Sequence, residues 1–260
     1  MKRFFLDKKF NIIYSLAAII LMWAVWIIAY YAVGNSLLVP SFGETLEEMS
    51  ACFADVVFWS ALGGSLWRAL TAFIISFAMA AVCAASAYCV PPLRHALRPI
   101  MAFIRILPTV AAIVIILRWT ETNKNIAPVI VTILVLFPMI YAQILAAADS
   151  IDGGLKNLVK IYQIKRSLAL FKIYLPAVSP NILGQTGANI SLGLKIMVSG
   201  EIITSTFGLG GLMHNATSDI MIARLAALTV LMVLSGLILD IAFSQLARIT
   251  YKWSSKEGVR

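Results

Sequence analysis

Arg68, Lys195 and Glu201 stand inside stretches of sequence that are otherwise apolar enough to sit in lipid. A charge in hydrocarbon is costly unless it is paired or faces water. Two chemistries follow. Arg68 and Glu201 fall at similar depth, if their two segments cross a bilayer in opposite directions, and can then neutralise each other. Lys195 precedes Glu201 by six residues, about 9 Å along a helix, and sits deeper. The other chemistry is binding: Lys195 or Arg68 lines a polar pathway and favours an anionic solute. Neither reading is catalytic. His95 and His214 lie in different loops, Asp240 stands alone, and Ser199-Gly200 has no histidine nearby in sequence. Cys52, Cys83 and Cys89 show no metal-ligand or disulfide spacing. No phosphate-cradling GxxxxGK[ST] occurs, so this chain has no nucleotide site of that kind.

The elements that must hold those charges are membrane helices. Of 260 residues, 61% are hydrophobic and 13% charged; a soluble domain has about 45–50% apolar and about 25% charged residues. The net charge of +9 reflects Lys and Arg collected in cytoplasmic loops. It does not point to nucleic acid, because no basic-aromatic region lies outside the apolar segments. Six stretches are long enough to span: about 12–34, 58–90, 99–118, 126–148, 181–206 and 222–248. Bases flank alternate connections. Lys2, Arg3, Lys8 and Lys9 precede the first stretch, and Arg94 and Arg98 lie between the second and third. Lys156, Lys160, Lys165, Arg166 and Lys172 lie between the fourth and fifth, and Arg248, Lys252, Lys256 and Arg260 follow the sixth. The other loops carry Glu44, Glu47, Glu48, Asp55, Glu121 and Asp219. Positive charge stays inside, so both termini and the fourth connection are expected to be cytoplasmic.

Two short helices are expected outside the bilayer. Ser41 and Glu44 have capping-box spacing, and Leu46, Met49, Phe53 and Val56 recur with helical period after them. In the fourth connection, Leu155, Leu158, Val159 and Tyr162 make one apolar face, with Lys156 and Lys160 off it. Ser167 is placed to cap a second helix, Leu168 to Leu175, closed by Pro176. An apolar stripe in a cytoplasmic loop either rests on anionic lipid or docks in a partner's groove.

"IYQIKRSLALFKIYLPAVSPNI" carries a resemblance. Its ending resembles the cytoplasmic signature loop of bacterial ABC-importer permeases, which begins EAA, then has a glycine, and closes on apolar-x-Leu-Pro. Ile173, Leu175, Pro176 and Pro180 match; Asn157, Leu158 and Val159 replace EAA, and Gln163 stands at the glycine. "VPSFGETLEEM", "SLWRALTAFIISFAMAAVCA", "LRPIMAFIRILPTVAAIVIILRW" and "GEIITSTFGLGGLM" are similar to successive parts of the nitrate/sulfonate/taurine-type branch. Together these cover about 37 to 250 of the chain.

The resemblance implies an all-α integral membrane protein, with six transmembrane helices in a type I ABC-importer permease fold. Its segments are an N-terminal segment with the first helix (1–36), an extracytoplasmic amphipathic helix (37–57), a core permease domain (58–250, coupling loop about 149–180) and a cytoplasmic tail (251–260). It implies a bacterial inner-membrane location and a non-catalytic role, with ATP and Mg bound by a partner. That partner is a cytoplasmic ABC ATPase dimer, held through Leu155, Leu158, Val159, Lys160, Tyr162, Gln163, Leu175 and Pro176. An extracytoplasmic solute-binding protein and a second permease chain, identical or related, complete the assembly. Gly208, Gly210 and Gly211 become candidates for the outer gate. Gln163 leaves the turn open: either it is rebuilt over "IKRS", or the loop meets an unusual ATPase. The alternatives are a secondary transporter, which would show two similar halves, and an intramembrane enzyme, which would need a reactive pair.

Overall fold

The computed structural model describes residues 2–120 and 123–257; several side chains within these ranges lie outside the description. Lys156, Ser167, Glu121, the N-terminal bases and the bases from Arg248 onward are among the expected features whose side chains fall outside it. The described backbone is helical, with no strand. The chain divides into two compact units, one of residues 1–56 with 215–231 and one of 57–214 with 232–260.

The first unit holds α1 (Lys2–Val33) and α2 (Phe42–Ala54). The expected capping box is present: the Glu44 N–H donates to Ser41 Oγ at 3.2 Å, and the Ser41 N–H to Glu44 Oε2 at 2.9 Å. Trp26 Nε1 donates to the Pro40 carbonyl at 3.1 Å, which ties the end of α1 to the start of α2. The buried side of α2 is Thr45 and Cys52. Of the apolar residues expected to lay this helix along a membrane or a neighbour, Leu46, Phe53 and Val56 are exposed and Met49 is half-buried, and Val56 already opens the next helix. Those side chains are where an amphipathic helix would meet lipid or a neighbour. Burial pushes the Cys52 thiol above its ordinary pKa, against the opposing charge of Arg224, so it is a packing residue rather than a nucleophile.

The second unit begins with α3 (Val56–Cys89), whose 34 residues are about 51 Å long. That exceeds the hydrocarbon thickness of about 30 Å, so the helix tilts or projects. Ala61, Ser65, Ala69, Ala72, Ser76, Ala80, Ala84 and Ala87 make a buried seam at steps of three and four. Apolar burial does not drive helices together in lipid; small side chains that let backbones approach do.

The third apolar stretch is not one helix. It splits into α4 (Pro91–Ile106) and α5 (Thr109–Trp119), bent by 92°. Pro108 is the cause: the residue before a proline is pushed out of the helical region, and Leu107 has φ −55° and ψ 126°. Arg94 and Arg98, expected in a loop, are therefore inside α4.

Next comes α6 (Ile126–Asp149), then α7 (Gly153–Ile161), α8 (Arg166–Ala169), a π-turn at Leu170–Tyr174, and α9 (Leu175–Thr204). From Arg166 to Thr204 the helical backbone is continuous. This corrects the expected stop at Pro176. Pro176 falls in the first turn of α9, where a missing N–H is least felt, directly after the π-turn. Pro180 lies inside α9 without ending it. Ser167 is likewise inside α8, not at its cap. The chain closes with α10 (Leu209–Ser218) and α11 (Ile222–Glu257).

Three unbroken helices, α3, α6 and the Ile222–Leu246 part of α11, are long and apolar enough to cross a membrane. Counting each bent pair, α4–α5 and α9–α10, as one broken span gives up to five among the described residues. Within α1, the described apolar part, Ile20–Val33, is shorter than a span.

The packing of α6 on α9 is central to the second unit. Leu136, Ile140, Tyr141 and Ile190 lie in one buried cluster with Phe73 and Ala80 of α3. Ile113 and Ile116 of α5 join Val131 and Ile196 in another. A third, Ala147, Ile151 and Val178, seats Leu155 and Tyr174 and so anchors the connection between α6 and α9.

Candidate coupling loop and intramembrane charge cluster

The expected pairing of Arg68 with Glu201 is present. Arg68 Nη2 lies 2.6 Å from Glu201 Oε1, and the carboxylate is fully buried. Its other oxygen accepts from Ser65 Oγ at 2.7 Å and from the Gly210 N–H at 3.0 Å. Ser65 Oγ in turn accepts from the Leu209 N–H at 2.8 Å. Arg68 also donates to the Phe207 carbonyl. α3, the end of α9 and the start of α10 therefore meet at one carboxylate. Each lone pair used here would cost several kcal/mol if left bare in lipid.

The three glycines assigned to the outer gate belong to this cluster. Ser205 takes φ 55° after the last turn of α9, and Gly208 takes φ 147°. A Cβ on Gly208 would strike the Arg68 guanidinium and lie 2.5 Å from Glu201 Oε2. A Cβ on Gly210 would lie 2.5 Å from that of Glu201, and one on Gly211 would strike the Thr206 carbonyl. Glycine is thus required for the α9–α10 turn to close over the ion pair.

Lys195 is elsewhere. It is exposed and lines a cavity of about 370 Å³ between α9 and α11, with Ser191, Gly236 and Asp240. No ion pair joins Lys195 to Asp240 among the described residues.

The loop residues divide into two groups. Leu155 packs inward on the cluster of Ala147, Ile151 and Val178, and Val159 is half-buried. Leu158 and Tyr162 are 52% and 72% exposed, so the outward half of the stripe is uncovered within the chain. Ile161, which the periodicity did not single out, is 73% exposed beside them. Lys160, Leu175 and Pro176 are exposed.

Gln163 has φ 46°. Around it, Tyr162 N–H donates to Leu158 O at 3.0 Å, Gln163 N–H to Lys160 O at 3.3 Å, and Ile164 N–H to Val159 O at 3.1 Å. The last two are the paired bonds of a Schellman motif, with Gln163 at the position glycine usually fills. The sharp turn is at Gln163 itself, not rebuilt over the residues that follow it.

Two polar contacts escaped the sequence reading. Arg94 binds Asp149 with two parallel bonds of 3.0 and 2.7 Å, linking α4 to the end of α6. Gln143 and Asn189 exchange amide bonds of 3.1 and 2.8 Å between α6 and α9. The available signal was the rarity of amides in apolar segments, which marks helix–helix contact.

Comparison with known proteins agrees with this architecture. The model of the family "binding-protein-dependent transport system inner membrane component" matches residues 74–250. The taurine transport system permease protein TauC of Escherichia coli (strain K12) is 25% identical over 253 residues, covering 92% of this chain and 88% of that one. The nitrate import permease protein NrtB of Synechocystis sp. is 24% identical over 241 residues, covering 88% and 86%. Among solved structures, a bacterial alginate ABC transporter in complex with its pentasaccharide-bound periplasmic protein has a TM-score of 0.65, 15% identity, and coverage of 91% of this chain and 95% of that chain. An inward-facing MetNI methionine ABC transporter has 0.61, 14%, 75% and 98%. The chain belongs to the binding-protein-dependent transport system inner membrane components. It is a multi-pass permease of an ABC importer, with the all-α type I fold.

Proposed function

We propose that this permease is driven by a separate ABC ATPase docked on α7, and that it carries a small anionic or zwitterionic solute. The observation that carries the first part is the exposed Leu158, Ile161 and Tyr162 on a helix whose inner side, through Leu155, is fixed to the end of α6 and to α9. A partner seated on that face would push directly on two central helices. ATP and Mg belong to the partner; the chain supplies the seat. Family membership and the taurine and nitrate permeases among its relatives support an importer of small oxyanion-bearing solutes.

Six spans with both termini cytoplasmic, an extracytoplasmic solute-binding protein, and a homodimer that completes the pathway belong to the same reading. Alternating loop charge supports the orientation. Cysteines placed singly at Asn123 and Lys165 of a cysteine-free chain are expected to label from opposite sides of the membrane; labelling of both from one side would contradict it.

The deciding experiment for docking is recovery of the ATPase subunit on detergent-solubilised permease at matched permease levels. Leu158→Asp and Tyr162→Asp are expected to abolish recovery, since each buries an unpaired carboxylate. Lys160→Ala is expected to reduce it little, because a rim charge contributes little. Full recovery with both aspartate variants would return the loop to the lipid surface.

A further inference from the structure

We propose that the groove between α4 and α6 is an oxyanion site formed by Arg98 and Arg105. Arg94, Arg98 and Arg105 are spaced four and seven residues apart, which places them within about 40° on one face of a helix. Arg98 and Arg105 are exposed at an open groove, and Arg94 is half-buried there. All three line a cavity of about 580 Å³ whose opposite wall includes Tyr141, Ala142 and Asp149 of α6. Arg105 also lines a second cavity, about 760 Å³, with Gln143, Asn181 and Gln185. The outward side of α4 carries Ile100, Phe103 and Ile106, which are 52%, 67% and 78% exposed. The helix is thus apolar toward the surroundings and basic toward its neighbour, the reverse of a helix on a soluble protein. Such polarity suits a helix that has lipid on one side and a polar groove on the other.

The charges in the groove do not balance. Asp149 accepts both its bonds from Arg94. Arg98 and Arg105 have no carboxylate within ion-pair distance among the described residues. Arg105 makes one long bond, 3.4 Å, to the Pro138 carbonyl, which leaves most of its donors open. Two guanidinium groups with free donors in a groove of small-molecule size fit sulfonate, carboxylate, nitrate or phosphate, whose oxygens match the fork of an arginine. The oxyanion has two sources: a transported solute, or the headgroup of an anionic lipid. The solute source rests on the permease reading above; the site itself does not.

The test uses the purified chain in phosphatidylcholine nanodiscs, with thermal unfolding followed by tryptophan fluorescence. Sodium ethanesulfonate is titrated against sodium chloride at constant ionic strength. The expected result is a saturable rise in melting temperature that chloride does not give. Arg98→Gln with Arg105→Gln is expected to weaken the apparent affinity at least tenfold, while Arg105→Lys, which keeps the charge, loses much less. A second arm replaces part of the lipid with phosphatidylglycerol. Stabilisation by that lipid alone, lost in the double variant, supports the site with a headgroup as its occupant. No stabilisation of the natural chain by either source overturns the proposal, as does stabilisation that survives the double substitution. The double variant is expected to recover the ATPase normally, so a failure of docking and a failure of anion binding are read separately.

Discussion

Arg68 and Glu201, 133 residues apart in sequence, meet at 2.6 Å with the carboxylate fully buried. A buried pair is weak evidence of net stabilisation, but breaking it is strongly destabilising because a charge is left behind. Glu201→Gln is expected to lower stability in detergent by about 3 kcal/mol. Arg68→Gln in the same chain should recover a large part of that loss, since neither charge then remains. A loss in the double variant equal to the sum of the two single losses would mean that the contact carries no coupling.

Gly208 tests the same cluster from its backbone. With φ 147° and a Cβ aimed at both members of the pair, Gly208→Ala meets strain and overlap together. A loss above about 2 kcal/mol is expected. Gly63 in α3 is the control, because a Cβ there meets nothing within 4 Å. Gly63→Ala should be neutral or stabilising by up to about 1 kcal/mol, the ordinary gain of alanine in a helix. Similar melting temperatures for the two variants would show that the α9–α10 turn is not held by this packing.

The amide pair Gln143–Asn189 gives a cycle of its own. Gln143→Leu alone leaves the Asn189 amide, 4% exposed, without its partner. The same holds in reverse for Asn189→Leu. Each single change is expected to cost about 1–3 kcal/mol, and the double change less than the sum, because replacing both partners removes the orphan. Strict additivity in thermal unfolding would refute a direct contact.

Much of this was legible before any coordinates. The capping box at Ser41 and the depth match between Arg68 and Glu201 are local pattern plus a rule about direction, and both are present. The loop stripe was half legible: periodicity found Leu155 and Leu158 together but could not say that Leu155 faces Ala147 and Ile151 while Leu158 faces out. The reading of prolines went wrong in both directions. By sequence Pro176 is a stop, yet a π-turn lets the helix run through it; Pro108, in the middle of an apolar run, breaks the helix by 92°. Hydropathy is blind to both, because each depends on backbone hydrogen bonding rather than on how greasy the segment is. Arg98 and Arg105 were missed for the same reason. As members of a loop and of a span they looked unrelated, and only α4 puts them on one face.

The turn at Gln163 gives the last test. A left-handed conformation costs a non-glycine residue about 1–2 kcal/mol, and Gln163 is held there by the Schellman bonds to Val159 and Lys160. Gln163→Gly relieves that strain but also loosens the unfolded loop, so the net gain expected is about 1 kcal/mol. The effect is local and is best read from hydrogen exchange of the peptide over 158–164. Protection there should rise about fivefold, the equivalent of that free energy. Gln163→Val should lower it, since a β-branched side chain is worst at positive φ. ATPase recovery should follow the same order: glycine at or above the natural chain, valine below. If glycine instead weakens both exchange protection and recovery, the segment is continuous helix in the working protein, where glycine costs about 1 kcal/mol, and the Schellman turn is not the docking geometry.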